Sequence, residues 1–259
     1  MSALTPKGRL LLVPTPLDFG CEGEPQAIDT LLPRQTLQAA SQIDHWICEN
    51  AKTTRAFLKR VDAAYPLRTP LQSQHMQVLP REVHKKGDHQ GPAPADVKQW
   101  LAPALAGHDV GLISEAGMPA IADPGSSVVR AAHQMGIGVV ALTGPVSLML
   151  ALAASGLNGQ NFAFVGYLPQ DAAARVARLR ELEAVALKTG QTQLWIETPY
   201  RNAAILDAAL GCLKPTTRLA VCCGLTLESQ RIFGALVSDW KQRRPDLPLS
   251  LPTVFLLGT

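Results

Sequence analysis

Short apolar runs alternate with helix-patterned segments along this chain, and that alternation constrains its fold more than any other feature. Runs at residues 9–13, 45–49, 110–114, 139–143, 162–167, 193–197, 218–223 and 253–257 have the length and composition of buried strands. Between them, helical periodicity marks residues 34–41, 51–64, 95–106, 126–135, 147–154, 172–187 and 202–213. Strands that alternate with helices pack as sheets covered on their faces, because each element buries only one side by itself. We therefore expect the α/β class, with two α/β domains on mostly parallel sheets. The small polar stretch at residues 157–161 lies between two apolar blocks, which places the expected boundary between an N-terminal domain, 1–157, and a C-terminal domain, 158–259.

Composition excludes several classes. Of 259 residues, 47% are apolar and 17% charged, so the chain can bury enough surface to offset the entropy of ordering, and disorder is ruled out. A formal charge of +3 is too small to drive nucleic-acid binding by phosphate neutralisation alone, although it permits RNA. Cys21, Cys48, Cys212, Cys222 and Cys223 are odd in number and lack C-x-x-C spacing, which reads as reduced thiols of an intracellular protein. The opening apolar run stops at Pro14, too short for a secretion signal, so a cytoplasmic location is expected. Residues 139–157 are apolar enough to imitate a membrane span, but Gly144-Pro145 divides them into a strand and a buried helix, and no membrane partner is expected.

Residues 65–94 lack periodicity and read as a long connector, in which Lys85-Lys86-Gly87 could meet an anion. Its His75, His84 and His89 have no recognised ligand spacing, and no metal is expected. In parallel sheets, ligands bind beyond the carboxyl ends of the strands, so the turns that follow the strands are where chemistry belongs. Residues 115–126 carry Gly117 and Gly125, then Asp123 and Pro124 read as a helix cap and first helical position. Gly144-Pro145 leads into another helix, Thr198-Pro199 into a third, and Asn50 is placed to cap a fourth. Each turn alone is ordinary capping. Together with Glu49, Glu115 and Glu197 at strand ends, they point to one ligand site. No G-x-G-x-x-G follows the first strand, and neither a P-loop nor a G-x-S-x-G elbow occurs, which argues against dinucleotide, P-loop and serine-hydrolase chemistry.

The stretch Pro14-Thr15-Pro16-Leu17, the block from Ile113 to Gly125, Gly144-Pro145-Val146-Ser147, the run 153–157, the stretch 164–169 and Glu197-Thr198-Pro199-Tyr200-Arg201 together resemble the tetrapyrrole (corrin/porphyrin) methylase superfamily. Within it they are most similar to the branch that methylates ribose 2′-hydroxyls of small-subunit ribosomal RNA. The resemblance implies two α/β domains with a cofactor cleft between them, S-adenosyl-L-methionine as cofactor, and a homodimer. It assigns cofactor contacts to Pro16, Glu115, Met118, Ser147, Ile196, Thr198, Cys223 and Leu257, to which the turns add Gly117, Gly144 and Pro145. A sulfonium is already a good leaving group, so alignment rather than a metal carries such a transfer.

The chain departs from that branch in three places. Glu115 and Met118 replace members of an Asp-Ala-Gly-Thr-Pro block, Asn50-Ala51-Lys52 replaces Asp-Thr-Arg, and Asp18-Phe19 replaces Gly-Asn. The sequence ends at Thr259 without the branch's small C-terminal extension, as a shorter paralogue would. The expected acceptor is an RNA 2′-hydroxyl, with Glu49 or Glu197 as base. A tetrapyrrole or other small-molecule acceptor and a non-catalytic cofactor-binding module are the alternatives.

Overall fold

The computed structural model describes residues 6–18, 21, 26–80 and 94–259, with Pro94 and Ala95 described by backbone alone. Phe19, His84, His89 and the Lys85-Lys86-Gly87 segment lie outside the described residues. Contacts divide the chain into two units, Met1–Val146 and Ser147–Thr259.

Among its described residues the first unit holds five strands: β1 Arg9–Val13, β2 His45–Cys48, β3 His75–Val78, β4 Val110–Ile113 and β5 Gly138–Ala141. They form one sheet in the order β3-β2-β4-β1-β5, parallel at every pairing, as expected. Leu10, Ile47, Val110 and Leu112 face one apolar cluster, and Leu11, Val13, Trp46, Cys48 and Ile113 face another, so both faces of the sheet are covered. Helices α1 Ile28–Leu31, α2 Arg34–Ser41 and α3 Ala51–Ala64 pack on the second cluster through Ile28, Leu37, Phe57, Leu58 and Val61. Asn50 caps α3, its side chain accepting from Lys52 N at 2.9 Å. The helix expected at residues 95–106 is two pieces, α4 Pro94–Trp100 and α5 Ala102–Leu105, broken where Pro103 cannot donate a backbone hydrogen bond. Helix α6 Ser126–Gln134 then leads to β5.

The second unit departs from the parallel expectation. Strands β6 Phe162–Phe164, β7 Thr192–Glu197, β8 Arg218–Cys223, β9 Arg231–Leu236 and β10 Thr253–Gly258 form a sheet in the order β6-β7-β10-β8-β9. Only β6 and β7 run parallel; the other pairings are antiparallel. A seven-residue turn from β8 to β9 makes a hairpin, and β10 returns against both β7 and β8. Helix α7 Ser147–Ser155 belongs to this unit by its contacts with β8, β9 and β10, so the division falls at 146/147 rather than at 157/158. Helices α8 Ala172–Thr189, α9 Asn202–Cys212 and α10 Val237–Gln242 complete the unit. Trp195, Phe255 and Trp240 are fully buried in its core, Trp195 stacked on Phe255 at 5.6 Å between centroids. The apolar stretch that imitates a membrane span is indeed β5 followed by α7, and no described helix is long and apolar enough to cross a membrane.

Candidate functional site

The strand order of the first sheet fixes where its crevice lies. From β1 the chain crosses toward β2 on one side, and from β4 it crosses toward β5 on the other, yet β1 and β4 are neighbours. Their carboxyl ends are the switch point, where departing connections leave a gap for a ligand. Thr15 and Gly117, just past these strands, exchange both backbone hydrogen bonds at 3.0 and 3.1 Å. Gly117 has φ +79°, a conformation that disfavours side chains, and a Cβ there would press on Leu17 at 3.1 Å. At Gly144 a Cβ would overlap the Pro14 ring, so the turn after β5 rests directly on the first loop. Pro16, Gly117, Gly144 and Pro145 therefore converge at one edge, as the sequence suggests.

Carboxylates gather at the same edge. Glu49, at the end of β2, accepts the Glu115 backbone N–H at 2.8 Å, and Glu115 accepts from the Thr53 hydroxyl at 3.2 Å. Burial, followed by the charges of Glu49 and Glu115, pushes the Asp123 carboxyl up to about 7. Asp123 is not the helix cap expected of it: Gly125 occupies the N-cap position of α6, and the helix begins at Ser126. Asp123 instead ends a loop in which Ala120 and Ala122 both have positive φ, +65° and +62°. Each costs roughly 1–2 kcal/mol for an L-residue, strain of the kind that collects at functional loops. Met118 is half-buried in this loop, and its carbonyl accepts from Ile121 N.

A hollow of about 260 Å³ opens beside these groups, lined by Thr15, Pro16, Phe57, Arg60, Ser114 and Glu115 among others. Arg60 is clamped to both Asp18 oxygens at 2.9 and 3.2 Å, which neutralises that wall. The Ser114 hydroxyl is buried with no hydrogen-bond partner among the described residues. An orphaned polar atom in a core costs roughly 1–3 kcal/mol, a debt that a bound ligand can remove.

In the second unit, the ends of β7 and β8 flank the start of β10, with Thr253 in register with both Glu197 and Cys223. Glu197 is fully committed: its side chain is buried, pairs with Arg201 at 3.1 Å and accepts from Leu168 N at 3.3 Å. Arg201 also donates to the carbonyls of Leu168 and Pro169. Burial raises the Glu197 carboxyl and Arg201 opposes it. That arrangement is a strut for the turn after β6. Beside it, the Thr198 hydroxyl is buried without a hydrogen-bond partner among the described residues, and Ile196 N donates to Gly166 O at 3.1 Å. Cys223 is wholly buried, its thiol raised by desolvation, and burial drives neighbouring Cys222 up to about 12, so neither is a nucleophile.

Leu257 does not join this group. It pairs with Gln193 and Leu219, four residues further along β10 from Thr253, which at ~3.3 Å per residue puts it at the opposite edge of the sheet. Ser147 opens α7 in the second unit and is half-buried. Sequence reasoning missed two features that the structure adds: the Asp123 carboxyl in the acidic cluster and the orphaned Ser114 hydroxyl. Asp-Pro-Gly before a helix reads locally as capping, and a serine at a strand end carries no periodic signal.

The comparisons agree with this architecture. A ribosomal RNA small subunit methyltransferase I from Mesorhizobium japonicum is 34% identical over 192 residues, 74% of this chain and 57% of that protein. The chain thus spans a little over half the length of this relative. The crystal structure of the methyltransferase CobJ superposes with a TM-score of 0.57 at 15% identity, covering 97% of this chain and 94% of that one. The uroporphyrin-III C-methyl transferase of Thermus thermophilus, complexed with S-adenyl homocysteine, gives 0.50 at 16% identity, with 97% of each chain covered. At these identities the superpositions establish the fold. The family model of the tetrapyrrole (corrin/porphyrin) methylases matches residues 30–240, and the chain belongs to that family.

Proposed function

We propose that this protein is an S-adenosyl-L-methionine-dependent methyltransferase whose acceptor is a ribose 2′-hydroxyl of RNA. The observation that carries the reading is the cluster of Glu49, Glu115 and Asp123 at the switch point of the first sheet, beside a hollow with an unpartnered buried hydroxyl. RNA as acceptor rests on the relative named for ribosomal RNA. Homodimer assembly and a cytoplasmic location belong to the same proposal, the first checked by light scattering of the purified chain.

The residues present suit the cofactor. An adenosyl group has many polar atoms and needs close backbone contacts, which Pro16, Gly117, Met118, Gly144 and Pro145 supply within the first unit. Ser147, Ile196, Thr198 and Cys223 supply them within the second, with the orphaned Thr198 hydroxyl offering a side-chain contact. Leu257, at the far sheet edge, is left out of the proposed set. When bound, the cofactor supplies an electrophilic methyl on a positively charged sulfur. Glu49 and Glu115 give that charge a favourable field. A carboxyl held near 7 has the affinity suited to take a hydroxyl proton at neutral pH, so Asp123, with Glu49 beside it, is the proposed acceptor of the substrate hydroxyl's proton. Glu197, tied to Arg201, is the weaker candidate for the base.

The test has two parts. Titration calorimetry with S-adenosylhomocysteine should show one site per chain at micromolar affinity; absence of heat refutes the cofactor assignment. Tritiated methyl transfer into total RNA from cells lacking the protein should exceed transfer into small-molecule extracts. The reverse selects a tetrapyrrole or other small acceptor, and binding without transfer to either selects a non-catalytic module.

A further inference from the structure

The opposite edge of the first sheet holds a second cluster that the methyl-transfer reading does not use. β2 begins at His45, which lies in register with His75 of β3 and with Val110 of β4, and His108 stands two residues before Val110. The register thus gathers three imidazoles and Asp44 at the amino ends of adjacent strands. The His45 and His75 rings stack at 4.8 Å with an interplanar angle of 12°, while His108 meets His45 edge-on at 5.2 Å and 61°.

We propose that Asp44, His45 and His108 form a binding site for a divalent transition-metal ion of the zinc type. One ligand atom from each of the three lies within 4.8 Å of the others. The His45 Nε2 to Asp44 Oδ1 distance is 3.8 Å. Donors bound to one tetrahedral ion at ~2.0–2.2 Å stand about 3.4 Å apart, so closure around an ion requires a shift of a few tenths of an ångström at that pair. His108 is exposed and can turn inward.

A second observation points to a missing ligand. Asp44 Oδ2 is held by Arg68 at 3.0 Å, but Oδ1 is buried and, among the described residues, has no hydrogen-bond partner, with His45 Nε2 standing 3.8 Å away. Arg68 acts as the orienting partner that metal-bound carboxylates usually have, while its charge opposes the ion and restrains affinity. His75 stacks on His45, and its nitrogens are not among the ligand atoms that come together there. It is a wall that fixes the ring plane, not a fourth ligand. Two imidazoles and one carboxylate with an open position suit Zn²⁺, and also Co²⁺ and Ni²⁺. The bound ion would tie the start of β2 to the turn before β4, at the end of the sheet remote from the Glu49 and Glu115 carboxylates. The proposal is independent of what the protein methylates.

The chain of residues 1–259, stripped with a chelator, is titrated with ZnCl₂ by calorimetry and with CoCl₂ by visible absorption. One ion per chain at micromolar affinity is expected, with the d–d bands of a four- or five-coordinate cobalt site. His108→Ala, an exposed change that leaves the fold intact, and Asp44→Asn should each weaken binding by about tenfold or more. A His84→Gln/His89→Gln double variant should bind as the wild type does. Absence of binding, wild-type affinity in both cluster variants, or loss in the His84/His89 variant would each overturn the assignment.

Discussion

Replacing Asp123 by Asn should stabilise the protein, and the gain should depend on pH in a defined direction. An aspartate ordinarily titrates near 3.9, whereas Asp123 in the fold titrates at about 7. The folded state therefore keeps a proton that the unfolded chain loses above pH ~4, so stability falls as pH rises from ~4 to ~7 and is level beyond. Three units at ~1.36 kcal/mol each set an upper bound of ~4 kcal/mol on the cost at pH 8. The group is half-buried and coupled to Glu49 and Glu115, so about half of that, ~2 kcal/mol, is the working figure. Asn cannot ionise and escapes this cost. Thermal unfolding followed by circular dichroism should place Asp123→Asn ~4–8 °C above the wild type at pH 8 and within ~2 °C of it at pH 4.5. Glu115→Gln should lower the Asp123 pKa and recover part of the same gain. An equal shift at both pH values, or a lower melting point at pH 8, would refute the charge argument.

Other expectations follow from single contacts. Arg201→Met leaves the Glu197 carboxylate buried and unpaired, and should cost ~3–5 kcal/mol in denaturant unfolding. Thr198→Val removes a hydroxyl without a hydrogen-bond partner among the described residues; the melting point should hold or rise slightly, while calorimetry shows S-adenosylhomocysteine binding weakened by about tenfold, the equivalent of one ~1.4 kcal/mol contact. Gly144→Ala drives a Cβ into the Pro14 ring, and should destabilise by ~1–3 kcal/mol in urea titration. Glu49→Gln removes a charge that raises the Asp123 carboxyl, and should lower methyl transfer by ~10²-fold or more in the tritium assay while product binding stays within a few-fold, as weakening of the proton acceptor would.

The first sheet was legible in the sequence because its strands are buried on both faces, and uninterrupted apolar runs such as Leu10 to Val13 announce that burial. Strand β3 was not, since it is a largely exposed edge whose His-Met-Gln-Val composition matches no strand template, and it sits in what reads as a connector. Strand β9 escaped for a different reason. Its Gly234 breaks the pattern because a Cβ there would stand 3.0 Å from the Ser155 carbonyl of α7, so close packing required the residue that hides the strand. Strand direction in the second sheet was likewise invisible, as an apolar run of six residues reads the same whichever way its neighbour runs. At the candidate site, glycine and proline turns declared themselves locally, whereas the Asp123 cluster depends on carboxylates brought together from residues 49, 115 and 123. Only the crossover connections of the sheet make them neighbours.

The place of β10 has a consequence for synthesis. Because residues 253–258 pair with β7 on one side and β8 on the other, the second sheet cannot close until they have left the ribosome. Before that moment, β6 with β7 and the β8–β9 hairpin are separate ribbons, each with an open apolar edge able to join a neighbouring nascent chain. A chain truncated before residue 253 lacks the strand that joins the two ribbons, and should be the most adhesive form of the polypeptide.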